Sequence, residues 1–178
     1  MTKVIRDRRL GLKFLGALCG IGFALSACGS SSASSATATT SKPTTTTSPY
    51  MTVSQERAYY LSILKPYNAT GATFSADAKQ WNNQTPMSQI VAQTNPLVQA
   101  ISGVMTKLTD GRWQPSTAID VHSLVSAFAA IQSDLQQISK LTIFDLNTWE
   151  AGVAKDLNVG QTDANLVRHD IGLPPVTN

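Results

Sequence analysis

The chain has 178 residues, a formal net charge of +3, 42% hydrophobic and 14% charged side chains, and a sequence pI near 9.0. The basic excess is local: Lys3, Arg6, Arg8, Arg9 and Lys13 fall in the first 27 residues with Asp7 as their one acid, so residues 28–178 carry 9 basic side chains against 10 acidic ones. That balance argues against a nucleic-acid binder, which needs a local surplus of Lys and Arg to displace counterions from phosphates, and the placement of both cysteines at 19 and 28 removes disulfides, Cys-metal sites and thiol nucleophiles from everything downstream.

The basic stretch leads into an apolar run from Phe14 through Ala27. As a helix this run is about 21 Å long at roughly 1.5 Å per residue, short for a lasting membrane span and of the form of a secretion signal. It closes on Leu25-Ser26-Ala27-Cys28. These four residues resemble the lipobox of bacterial lipoproteins. The resemblance implies cleavage after residue 27, modification of Cys28 with diacylglycerol and further acylation such as palmitate, and a lipid-anchored protein on the extracytoplasmic face of the cell membrane. One acyl chain binds a bilayer only marginally, whereas two or more make a durable anchor. Cys19, with Leu18 directly before it, is the poorer acceptor. Arg8-Arg9 is a loose match to a twin-arginine signal, so that route and the general secretory route both stay open, as does outer-membrane sorting where Gly29 follows the cysteine.

Residues 28–49 are almost entirely Ser, Ala and Thr, with Lys42 as the one charge. Such a segment buries too little apolar surface to offset the entropy of ordering it, which predicts a disordered tether. Its 20 or so residues reach about 65 Å fully stretched and about 25 Å as a coil. The Thr44–Thr47 run beside Pro43 and Pro49 has the composition of O-glycosylated stalks, and of bare linkers equally. With its signal and tether, the chain looks like a small surface lipoprotein of actinobacteria; the resemblance does not extend to residues 50–178.

Beyond Pro49 the apolar residues recur at alternating steps of three and four, which predicts helices over roughly 53–81, 86–108, 117–140 and 146–171. The first carries Tyr60, Leu64, Tyr67, Phe74, Ala78 and Trp81 on one stripe, with Thr52 and Gln55 spaced as a capping box and Pro66 placed to kink the interior. The second carries Ile90, Leu97, Ile101, Val104 and Leu108, includes Pro96, and stops at Asp110-Gly111. In the third, Val121, Leu124, Phe128, Ile131 and Leu135 follow a Thr117–Asp120 capping pair. The fourth runs from Leu146 to Ile171 with Asn147 and Glu150 at its start and a bend or break expected at Val159-Gly160. Gly172 followed by Pro174-Pro175 ends it. The fold class this implies is all-α: an antiparallel up-and-down four-helix bundle preceded by a signal peptide (1–27) and a lipidated tether (28–49), the bundle spanning 50–175.

Catalytic patterns are missing. Glu occurs only at 56 and 150, neither followed three residues later by histidine, so a di-metal carboxylate centre lacks its ligands. His122, bordering the third stripe, and His169, near a helix end, make too few ligands for zinc, and no cofactor is expected. No Gly-x-Ser-x-Gly elbow or phosphate-cradling glycine loop occurs. The aromatics leave two expectations. Tyr60, Tyr67, Phe74 and Trp81 are core residues or, with Pro66 and Pro96 splaying the helices, the lining of an apolar-ligand cavity. Tyr59 and Trp113 lie off the stripes and are expected on an exposed contact surface. The function expected is non-enzymatic: a membrane-anchored domain that binds another envelope protein, glycan or lipid, with a carrier or sensor of a small apolar ligand as the alternative.

Overall fold

A computed structural model describes residues 48–176. The expected signal peptide, Cys28 and the expected tether up to residue 47 lie outside the described residues. Four helices form: α1 (Val53–Ala78), α2 (Met87–Asp110), α3 (Pro115–Gln137) and α4 (Leu146–Asp170), with a 3-10 turn, Ile138–Lys140, finishing α3. The short connections fold them into an antiparallel four-helix bundle, as the periodicity implies, and no strand occurs among the described residues. No described helix is long and apolar enough to cross a membrane.

The helix ends follow local chemistry. Thr52 and Gln55 form the expected capping box, the Gln55 amide donating to Thr52 Oγ1 at 3.3 Å and Gln55 Oε1 accepting from the Thr52 amide at 2.8 Å. The helical ladder of α1 ends three residues earlier than its apolar stripe, because the Gln80 and Trp81 amides bond to the carbonyls three residues back and tighten the chain. α3 starts at Pro115 rather than at 117, so the capping pair read at Thr117 and Asp120 does not form. Thr117 is buried and its hydroxyl donates to Glu56, while Asp120 faces Asp170 on α4. Nor do Asn147 and Glu150 cap α4, which begins after Asp145 and runs unbroken through Val159-Gly160. Gly172, at φ +67°, closes α4 with amide bonds from Leu173 to Arg168 (2.7 Å) and from Gly172 to His169 (3.0 Å). A left-handed glycine of this kind satisfies the last carbonyls without strain.

Pro66 and Pro96 sit inside continuous helices on exposed faces. The carbonyls they leave unbonded, those of Ser62 and Ala92, belong to exposed residues, where water substitutes for the lost amide. One core runs through the bundle, built from Tyr60, Tyr67 and Phe74 of α1, Ile90, Leu97 and Ile101 of α2, Leu124, Phe128 and Ile131 of α3, and Leu157, Ala164 and Val167 of α4. Full burial of each large apolar side chain stabilises the fold by about 1.5–3 kcal/mol. Neighbouring helices in chain order pack closely, whereas α1 and α4 approach one another less closely.

The two ends of the bundle differ. At the end where the chain enters from Ser48, the Met51 amide bonds to the Arg112 carbonyl at 2.8 Å, the Gln114 side-chain amide donates to the Met51 carbonyl, and Arg57 Nε donates to the Ile171 carbonyl at 3.0 Å. At the opposite end Trp81 Nε1 donates to Gln93 at 2.7 Å, and the α3–α4 connection leaves Phe144 90% exposed.

Candidate functional site

The aromatic residues do not converge on a surface. Tyr60, Tyr67, Phe74 and Trp81 are buried, with Tyr67 edge-on to Phe128 at 5.3 Å and Phe74 edge-on to Trp81 at 5.6 Å. Tyr59 is half-buried, its hydroxyl donating to the Lys107 carbonyl at 2.9 Å and its ring 5.6 Å from Trp113. Trp113, expected on an exposed contact surface, is instead 5% exposed. The 111–114 connection folds its indole back under α2, where Nε1 donates to the Leu108 carbonyl at 2.7 Å, and a Cβ at Gly111 would collide with the ring. Tryptophan in a connection is thus an anchor here rather than a contact point. His122, expected to border the core, is exposed; His169 is exposed as well, with Nδ1 3.5 Å from Asp170. Among the described residues no three His, Cys, Asp or Glu gather to hold a metal ion.

Three charged side chains are buried among the described residues, Glu56, Glu150 and Arg168, and the first and last of them stand on apolar stripes. Glu56 is wholly buried, accepting the Gln114 backbone amide on one carboxylate oxygen and the Thr117 hydroxyl, at 3.4 Å, on the other. It therefore caps α3 from α1, and its charge complements the positive end of the α3 dipole. Arg168 is 1% exposed and donates Nε to the Pro174 carbonyl at 2.7 Å. The signal for both lay in the spacing. Glu56 stands four residues before Tyr60 and Arg168 four after Ala164, each on the buried face of its own helix.

The α3–α4 seam carries acids against acids. The Asp120 carboxyl is held above the usual carboxylate range by burial, then by the charge of Asp170 and the hydrogen bond the two share, with His169 opposing. Asp134 is raised by burial and by Asp156 in the same way, and Asp163 by burial and by Asp120. A carboxyl whose folded pKa is raised binds its proton more readily in the native state. The stability it contributes is present below the unfolded value and lost as pH rises through the folded one. Asp145, lowered by hydrogen bonds from Thr142, acts in the opposite sense and loses its contribution only at more acidic pH. The urea midpoint is therefore expected to rise as pH falls from neutrality toward the unfolded Asp value of about 3.9 and to turn down at more acidic pH. In Asp120→Asn with Asp134→Asn, the neutral-pH midpoint should be higher and the rise on acidification flatter; an unchanged profile would show that these pairs do not govern the pH response.

The outer face of α4 forms a groove of about 870 Å³ lined by Asn147, Glu150, Ala151, Ala154, Lys155, Asn158, Val159 and Thr162. Its upper neighbour is the chain's own tail. The Val176 carbonyl accepts from Gln161 Nε2 at 3.0 Å and Asn165 Nδ2 at 3.2 Å, and the Val176 amide donates to Asn165 Oδ1 at 2.8 Å. Residues 165, 161, 158, 154, 151 and 147 step by three and four, so the amides that hold the tail and the lining of the groove form one continuous stripe on α4. A smaller groove of about 470 Å³ between α1 and α2 is lined by Thr70, Thr73, Phe74, Gln93 and Pro96, among others. Comparison with protein-family models, with curated proteins and with solved structures finds no match for the chain.

Proposed function

We propose that the chain is a non-enzymatic, lipid-anchored protein of the cell envelope whose helical domain docks another envelope component, protein or glycan, on the outer stripe of α4. The observation that carries the docking reading is the α4 groove. Alanines at 151 and 154 leave room against the helix, and Asn147 and Asn158 offer donors and acceptors beside them. Asn165, on the same stripe, already engages the backbone of one residue, Val176, donating to its carbonyl and accepting from its amide. A side-chain amide that holds one backbone can hold another, and glycan hydroxyls make the same demands. The volume lies within the range of ligand sites, roughly 300–1,000 Å³. The anchoring reading rests on the lipobox-like Leu25-Ser26-Ala27-Cys28.

One experiment addresses both parts. A photo-crosslinking residue at position 158, in the protein expressed in its own envelope, is expected to trap a partner that is lost when Ala154→Arg fills the groove. A crosslink that survives Ala154→Arg would place docking elsewhere. In the same cells Cys28→Ala should abolish acylation and release or mislocalise the protein, and an acylated, membrane-bound Cys28→Ala protein would overturn the anchor. The alternative, a carrier of a small apolar ligand, draws support from the α1–α2 groove, where Phe74 and Pro96 both contribute to the lining.

A further inference from the structure

Where the first turns of α1 meet the end of α4, donors outnumber acceptors. The Arg168 nitrogens Nη1 and Nη2 and the Tyr60 hydroxyl are buried and have no hydrogen-bond partner among the described residues. Arg168 is 1% exposed and Tyr60 0%, and the two are close enough to interact electrostatically. A guanidinium removed from water without a counter-charge is among the costliest arrangements in a protein interior.

The obvious internal acceptors are engaged elsewhere. Glu56, one turn before Tyr60, is held by Gln114 and Thr117. Asp170 is taken up with His169 and Asp120. The last carbonyls of α4 accept the Ile171, Gly172 and Leu173 amides. A second guanidinium, that of Arg57, lies against Gly172 at the same corner and adds to the positive charge.

We propose that Arg168 and Tyr60 form a carboxylate-binding site at the α1–α4 seam, with Arg168 Nη1 and Nη2 donating in parallel to the carboxylate oxygens and the Tyr60 hydroxyl as a third donor. A carboxylate fits better than a spherical anion because the free edge of a planar guanidinium presents two parallel N–H groups at carboxylate spacing. Burial raises the Tyr60 hydroxyl well above its ordinary range, with Arg168 opposing, so the phenol stays protonated and able to donate. At this seam α1 and α4 approach one another less closely than helices consecutive in the chain do, and Arg168 is covered by the tail through its bond to the Pro174 carbonyl. This site is independent of the α4 groove. The same head-group chemistry belongs to a free small carboxylate and to the acid end of an acyl chain.

The test uses the purified full-length chain and two probes, acetate and decanoate, each titrated against chloride at constant ionic strength and followed by thermal unfolding and calorimetry. Both carboxylates should bind and raise the unfolding temperature beyond the effect of chloride. Tyr60→Phe, which removes only the hydroxyl, should weaken binding about tenfold, and Arg168→Met should abolish it. Equal affinities would identify a small carboxylate as the ligand, and decanoate binding at least tenfold more tightly would identify an acyl chain. Carboxylates no better than chloride, or a Tyr60→Phe protein that binds as the wild type does, would overturn the proposal, and the latter result decides even where Arg168→Met fails to fold.

Discussion

Phe128→Ala is expected to destabilise the bundle by about 3–5 kcal/mol, seen as a urea midpoint that falls while the slope of the transition stays constant. Phe128 is fully buried near the middle of α3 and meets Tyr67 of α1 at 5.3 Å with the rings 83° apart. The pair therefore bridges two helices that are not neighbours in the chain. Truncation removes the apolar transfer contribution, leaves a cavity between rigid helices, and deletes an edge-to-face contact worth about 0.5–1.5 kcal/mol beyond its area. For a domain of this size the melting temperature should drop by roughly 10–20 °C. Phe128→Leu, which keeps most of the volume, should cost a fraction of that. A loss below about 1 kcal/mol for the alanine variant would mean that the core closes without this bridge.

The second large effect is expected at Glu56. Glu56→Ala leaves the half-buried Gln114 amide and the buried Thr117 hydroxyl without their acceptor, and a loss of about 2–4 kcal/mol follows from the unsatisfied donors together with the lost helix cap. Glu56→Gln keeps one carbonyl oxygen for the amide and should cost less. In a double-mutant cycle, Thr117→Val should show coupling to Glu56→Ala of about 0.5–3 kcal/mol, because both changes act on one hydrogen-bonded group. Additive effects would show that the Thr117 hydroxyl adds nothing to the hold that Glu56 has on α3, leaving the Gln114 amide bond and the charge. The same variant should loosen the end of the bundle where Gln114 also reaches the Met51 carbonyl, which hydrogen exchange at Met51 and Ala118 would detect.

The bundle was legible from the sequence because its signal is local and repeated. The three-and-four steps through Tyr60, Tyr67 and Phe74, or through Leu124, Phe128 and Ile131, belong to stripes that recur over about four to six turns of helix, and Thr52, Gly111 and Gly172 mark ends within a residue or two. Partnerships between helices leave no such local trace. Thr117 and Asp120 have the spacing of a capping box, yet Thr117 turns to Glu56, 61 residues away, because Pro115 has already started the helix. Trp113 has no periodic neighbours, so its burial depends on how a four-residue connection folds back on α2. The α4 stripe escaped notice because alanine and asparagine mark neither a core nor a charged face, and its character emerges only once the tail is seen lying along it. Glu56 and Arg168 were not read as buried, although a charge standing on an apolar stripe has to be buried with a partner or left with an unmet demand.

Helices of 23–26 residues at about 1.5 Å per residue make the bundle a rod some 35–39 Å long. The chain joins it at Ser48, on the end opposite Phe144. Under the proposed anchoring, tension transmitted through the preceding residues would act on one tip of the rod alone. The groove on α4 then runs along the shaft, parallel to the direction of pull. A component docked there, as proposed, would lie along the shaft and leave both tips free, while Phe144, 90% exposed, crowns the tip far from Ser48.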